Sequence, residues 1–207
     1  MMIFFIKGMA IGFSVAAPVG PIGVLCIRRT LARGRVSGLV TGLGAATADA
    51  LYGSVAAFGV TFVSNFLIGQ QPWLRLVGGG FLLYLGIRIF KAKPKQDIDS
   101  KNETAIISDY ASTLFLTITN PATILSFAAI FAGLGLGSTN SSYFSASALV
   151  CGVFIGSALW WLILSTGVSA FHENIDDVIL GFVNKMSGSI ILAFGIAALA
   201  GFFLWLL

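Results

Sequence analysis

Apolar residues gather in six long runs, near residues 6–27, 37–66, 72–90, 109–134, 143–168 and 180–206. A hydrocarbon core of about 30 Å takes about 20 helical residues to cross, so the pattern predicts six transmembrane helices and an all-α integral membrane protein. The connections are short apart from residues 91–108, where Lys91, Lys93, Lys95, Asp97, Asp99, Lys101 and Glu103 form a solvated tether. That stretch has neither metal-ligand nor catalytic spacing and reads as a flexible linker. The chain therefore divides into residues 1–95, a linker over 96–108, and residues 109–207.

The two parts echo each other. Gly20-Pro21-Ile22-Gly23-Val24-Leu25 returns as Asn120-Pro121-Ala122-Thr123-Ile124-Leu125, each inside an apolar run where proline should break a helix. Asp49-Ala50-Leu51-Tyr52 in the second run answers Ser157-Ala158-Leu159-Trp160 in the fifth, and Gly79 to Gly86 in the third answers Gly188 to Gly195 in the sixth. Three helices repeat as three helices. Because three is odd, the second copy enters the membrane from the other side, so the expected architecture is two inverted three-helix repeats. Gly38-x-x-x-Gly42 and Gly152-x-x-x-Gly156 suit close helix packing, within one bundle or between copies, which leaves a homo-oligomer open.

Composition agrees with this reading: 57% of the residues are hydrophobic and 10% charged, with a mean hydropathy of +0.96. The formal net charge of +4 comes from cations in connecting segments and speaks to membrane orientation, with no nucleic-acid role implied. Arg28, Arg29, Arg33 and Arg35 fill the first connection and Arg88, Lys91, Lys93, Lys95 and Lys101 the third, whereas residues 65–72 and 135–142 have no Lys or Arg. The odd connections should then be cytoplasmic and both termini outside, with Lys7 and Arg75 as exceptions. Trp73, Tyr143 and Trp205 fall at the outer interface and Tyr110 at the inner one. The first run lacks the basic n-region of a signal peptide and reads as a retained helix. Cys26 and Cys151 are far apart in apolar runs and read as small buried hydrophobes.

The breaks carry the candidate chemistry. At 1.5 Å per residue, Pro18 and Pro21 lie roughly 10 to 15 Å from the cytoplasmic boundary and Pro121 roughly 18 Å from it, near the midplane. Prolines at 18, 21 and 121 cannot donate to the carbonyls of Ser14, Ala17 and Thr117, which leaves those oxygens open to a ligand, an ion or water. Asp49 is the one ionisable residue near the middle of a span, and should face the bundle interior, pair or bind a proton. Its structural alternative is a buried acid held by Tyr52, Thr47 or a backbone amide. Asn120, with Thr117, Thr119 and Thr123, gives the fourth run a polar patch, although threonines often bond back into their own helix. Arg28 and Arg29 read as orientation determinants, with contact to a substrate carboxylate at the cytoplasmic mouth as the alternative for either, and His172 reads as a solvated loop residue. With one histidine and no intramembrane acidic pair, no metal site is expected. No Walker sequence is present, and neither a cofactor nor an enzymatic activity is expected.

Pro18-Val19-Gly20-Pro21, Arg28-Arg29-x4-Gly34-x3-Gly38, Asp49 and Asn120-Pro121 together resemble the lysine exporter (LysE/RhtB) family of amino acid exporters over nearly the whole chain. The resemblance implies a bacterial inner-membrane secondary exporter of amino acids or related small solutes, driven by proton antiport. It places Pro18, Gly20, Pro21, Asp49, Asn120 and Pro121 at the family's motif positions. Pro-Val-Gly-Pro stands where many members have Pro-Gly-Pro, and Gly23 where a polar residue often follows, differences that bear on substrate. The competing classes are an ion or small-solute channel and a non-transporting membrane scaffold.

Overall fold

Helices account for all the regular structure of the described residues. The computed structural model describes residues 1–18, 20–58, 69–92, 103–120, 122–127, 143–171 and 177–206, without the side chains at 103, 177 and 205–206. The helices are α1 (Met2–Ala16), α2 (Pro21–Arg33), α3 (Arg35–Ala57), α4 (Gln71–Phe90), α5 (Glu103–Ile118), α6 (Tyr143–Ser169) and α7 (Asp177–Leu206), with a further helical stretch over residues 122–127. Pro121, most of the linker, residues 65–68 and 135–142 of the uncharged connections, His172 and the Trp205 side chain lie outside the described residues.

The first expected span is interrupted. Pro18 cannot continue the hydrogen-bond ladder of α1, whose last closure here is the Ala17 N–H donated to the Phe13 carbonyl at 3.0 Å. Pro21 then opens α2 at its first position, where a missing N–H costs nothing. The two helices meet at a bend of 80°. α2 ends at Gly34, whose φ of 87° is one that side-chain-bearing residues rarely adopt, and α3 starts directly after it. α5 begins at Glu103, so the last residues of the stretch read as a linker are helical.

Among the described residues, three helices are long and apolar enough to cross a membrane, namely α4, α6 and residues Val178–Leu204 of α7, and the bent α1–α2 pair makes a fourth if taken as one broken span. α3 has 23 residues but is rich in small and polar ones, Asp49 included. It can be so because it is walled in: α6 packs along one side of it, α5 along another, and α2 also lies against it. A helix shielded from lipid by its neighbours has no need of an all-apolar surface.

Close approach holds the bundle together. A Cβ at Gly8 or Gly12 of α1 would overlap the backbone of Leu149 or Val153 on α6, and one at Gly152 or Gly156 of α6 would overlap that of Phe5 or Met9. Small residues let these backbones touch where lipid offers no hydrophobic drive to associate. α4 pairs with α7 in the same fashion, Gly79 and Gly195 each facing the other's carbonyl oxygen. Of the cysteines, Cys26 is fully buried and donates its thiol to the Gly38 carbonyl at 3.4 Å. Cys151, expected inside, is instead exposed, because the face of α6 that meets α1 is taken by Gly152 and Gly156.

Candidate functional site

The two breaks, about 100 residues apart in sequence, line one chamber. A cavity of about 370 Å³ lies between them, walled by Pro18, Gly20 and Pro21 from the first break, Thr119, Asn120 and Thr123 from the second, and Gly78, Gly79 and Leu82 of α4 and Phe194 and Ala198 of α7. Beside it is a smaller cavity of about 70 Å³ that shares Pro18, Gly20, Pro21, Asn120 and Thr123 and adds Asp49, Thr117 and Trp161. Seven of the eight residues that the sequence singles out are accounted for: Asp49, Asn120, Pro18, Gly20, Pro21 and Thr117 meet here, while Ser14 lies exposed on α1 and lines neither cavity. Pro121 lies outside the described residues.

Asp49 is buried, 3% exposed. Its Oδ2 accepts a hydrogen bond of 2.7 Å from Ser157 Oγ on α6. Neither side chain proposed from sequence as its partner holds it: Thr47 donates to the Leu43 carbonyl at 2.9 Å and accepts from the Tyr110 hydroxyl at 2.9 Å, and the Tyr52 hydroxyl donates to the Ile118 carbonyl. Ser157 is the residue that occupies the position of Asp49 in the second half of the sequence echo, so two corresponding positions touch.

The two breaks differ in how their backbone is finished. At the second, Asn120 N–H donates to the Thr117 carbonyl at 3.2 Å, Asn120 Oδ1 accepts from Ala122 N–H at 3.1 Å, and Tyr52 covers the Ile118 carbonyl. The Thr117 oxygen, expected to be open, is thus occupied. The hydroxyls of Thr117 and Thr119 turn back to the carbonyls of Thr113, at 2.8 Å, and Phe115, at 2.9 Å, as threonines in helices commonly do. At the first break, α2 starts behind Gly20, which offers no side-chain cap, so its first N–H groups have no partner within the helix.

A second polar cluster lies at the basic end of the bundle. Asp109 of α5 is also 3% exposed. Its Oδ1 pairs with Arg29 Nε at 3.1 Å and Arg33 Nη2 at 2.6 Å, and its Oδ2 accepts from Ser37 Oγ at 2.5 Å. Arg29 Nη1 donates to Thr41 Oγ1, the Asp109 carbonyl and Thr113 Oγ1 at 3.1, 3.0 and 2.9 Å, and Nη2 to Ser112 Oγ at 2.7 Å. Arg29, read from sequence as an orientation determinant, is 5% exposed. The cluster borders a polar vestibule of about 510 Å³ that Arg28, Arg88 and Asn184 also line, Arg28 Nε donating to Asn184 Oδ1 at 2.8 Å.

A family model described as LysE type translocator matches residues 13–201. The chain belongs to the LysE type translocator family. Among its relatives, a Bacillus subtilis (strain 168) protein named "Putative amino acid efflux protein YcgF" is 28% identical over 197 residues, 92% of either chain. An Escherichia coli (strain K12) protein named "Uncharacterized membrane protein YahN" is 26% identical over 146 residues, 69% of this chain and 65% of that one. No solved structure gives a significant match. Family membership and the apolar helices make this LysE type translocator a multi-pass membrane protein. Sequence reasoning missed Trp161 and Gly78 as lining residues of the translocator's cavities and Ser157 as the partner of Asp49. The echo of Asp49 at Ser157 was the one available signal.

Proposed function

We propose that the protein is a secondary active exporter of amino acids or related small solutes across the bacterial cytoplasmic membrane, working by proton antiport. The observation that carries this is the convergence of both helix breaks and a buried carboxylate on one chamber. Family membership and the name of the Bacillus subtilis relative support it. Asp49 is the group that exchanges the proton, and Ser157 holds it in place. Broken helices that converge at a site between two halves are the usual means by which such carriers expose solute to alternate sides.

The six spans form two inverted three-helix repeats, residues 1–95 and 109–207 joined by a linker over 96–108, and the contact between the corresponding residues Asp49 and Ser157 supports an axis passing between them. The basic vestibule with Arg28 and Arg88 is the cytoplasmic mouth, which leaves both termini outside. The test is flux from proteoliposomes loaded with amino acids under an imposed pH gradient. Export that saturates, follows the gradient and exchanges one solute for another is expected. Non-saturating flux indifferent to solute on the far side would make the protein a channel.

A further inference from the structure

Among the described residues, one buried polar side-chain atom has no hydrogen-bond partner: the indole Nε1 of Trp161. A buried donor left unpaired costs about as much as a lost hydrogen bond, and such orphans call for an explanation. Trp161 is 4% exposed and lines the small cavity with Asp49 and with residues Gly20, Pro21, Ile22 and Gly23 at the start of α2. It stands one helical turn beyond Ser157, on the same face of α6. Gly42 of α3 makes room for it, since a Cβ there would overlap the Trp161 side chain. The small cavity is thus lined by Asp49, by Trp161 with its unpartnered indole N–H and by the start of α2, a helix end without a side-chain cap.

This is the complement of a zwitterion. A helix N-terminus attracts negative charge, and a second N–H beside it gives a carboxylate two kinds of donor, while Asp49 faces an ammonium group. A volume of about 70 Å³ is several times the roughly 10–15 Å³ that a single water needs, room for a small polar group such as an α-amino acid head group. The larger chamber of about 370 Å³ opens beside it and is walled largely by apolar groups, among them Leu82, Leu116, Phe194 and Ala197. Among the described residues its one charged lining residue is Arg75, whose Nη1 donates to the Gly201 carbonyl at 3.1 Å. No acidic residue among those described lines it to receive a cationic side chain.

Resting on the exporter reading, we infer that Trp161 Nε1 and the N-terminus of α2 bind the substrate's α-carboxylate, Asp49 its α-ammonium, and the larger chamber an uncharged apolar side chain. The transported class is neutral apolar amino acids. Two chambers divide the recognition between them, the small one reading the head group that all amino acids share and the large one selecting by side chain.

The test is counterflow of radiolabelled leucine in proteoliposomes of the full-length protein, with leucine, leucinamide and lysine as competitors. The wild type should favour leucine over leucinamide, which lacks the carboxylate, by about tenfold or more, the worth of one charge-assisted hydrogen bond. Lysine should compete at least about tenfold more weakly than leucine, because its side-chain ammonium would be desolvated without a partner in the apolar chamber. Trp161→Phe should narrow the preference for leucine over leucinamide by about tenfold while leaving leucinamide competition unchanged, a pattern that general damage to the fold would not give. Should that variant be lost in folding, Ser126→Asp supplies a second reading. Ser126 is exposed and lines the larger chamber, and an acid there should raise lysine competition about tenfold. A leucine-to-leucinamide ratio unchanged in Trp161→Phe, or lysine as effective as leucine in the wild type, overturns the inference while the exporter reading stands. Absence of counterflow for every amino acid, with the protein folded, brings down both.

Discussion

Asp49 and Asp109 are buried to the same degree, 3% exposed each, and are finished in opposite ways. Asp109 lies in a closed cluster: two arginines and a serine converge on its carboxylate, and all three nitrogens of Arg29 donate to α3, α5 or Asp109 itself. Asp49 has Ser157 at 2.7 Å and beside it a cavity, an unpartnered indole and an uncapped helix end. Burial alone therefore does not distinguish an acid whose surroundings are closed from one whose surroundings are open. What distinguishes them is whether the surrounding polar groups are already satisfied, because a saturated cluster has nothing left to offer a ligand and an unsaturated one does. The two helix breaks show the same contrast. The second is closed by Asn120 and Tyr52, and the first is left open.

The contrast is sharpest where one partner is removed. Asp109→Asn leaves two arginines facing a neutral group, and breaking a buried pair in this way should cost about 3–5 kcal/mol, read as a lower melting temperature in detergent and reduced yield. Replacing Gly156 by Leu pushes a side chain into the Met9 backbone, and overpacking of about 1–3 kcal/mol or more should loosen α1 from α6, seen in SDS titration of the unfolding equilibrium. Gly42→Ala should displace the Trp161 side chain; we expect about 1 kcal/mol of destabilisation but a larger proportionate loss of counterflow, measured on folded protein. A parallel loss of the two would place Trp161 on the structural side of the comparison. Asn120→Ala removes the side-chain cap on Ala122 N–H and should cost about 1 kcal/mol, detectable as faster amide exchange over residues 122–127.

Much of this was legible in the sequence. The helical run lengths, the proline breaks and the lone acid of the second run are local signals, and the structure brings Pro18, Gly20, Pro21, Asp49, Thr117 and Asn120 together around adjoining cavities. What escaped was non-local. Arg29 was read only as an orientation determinant or a substrate contact and Asp109 was given no role, yet the two are 80 residues apart in sequence and meet inside the bundle. Ser14 was chosen for a carbonyl that proline leaves free, a correct statement about its backbone that does not say which way the helix faces. Ser157 and Trp161 looked like ordinary members of an apolar helix with 27 residues. Only the packing of α3 against α6 gives one of them a carboxylate and leaves the other without a partner.

The most direct test pairs the two acids in one experiment, with Asp49→Asn and Asp109→Asn each measured for stability in detergent and for amino acid export under a pH gradient. Asn at 49 keeps an acceptor for Ser157 and loses only the exchangeable proton and charge. The account predicts a protein of near wild-type stability that no longer exports against a gradient, beside an Asp109→Asn protein whose chief defect is folding. Gradient-driven export retained by Asp49→Asn would contradict it.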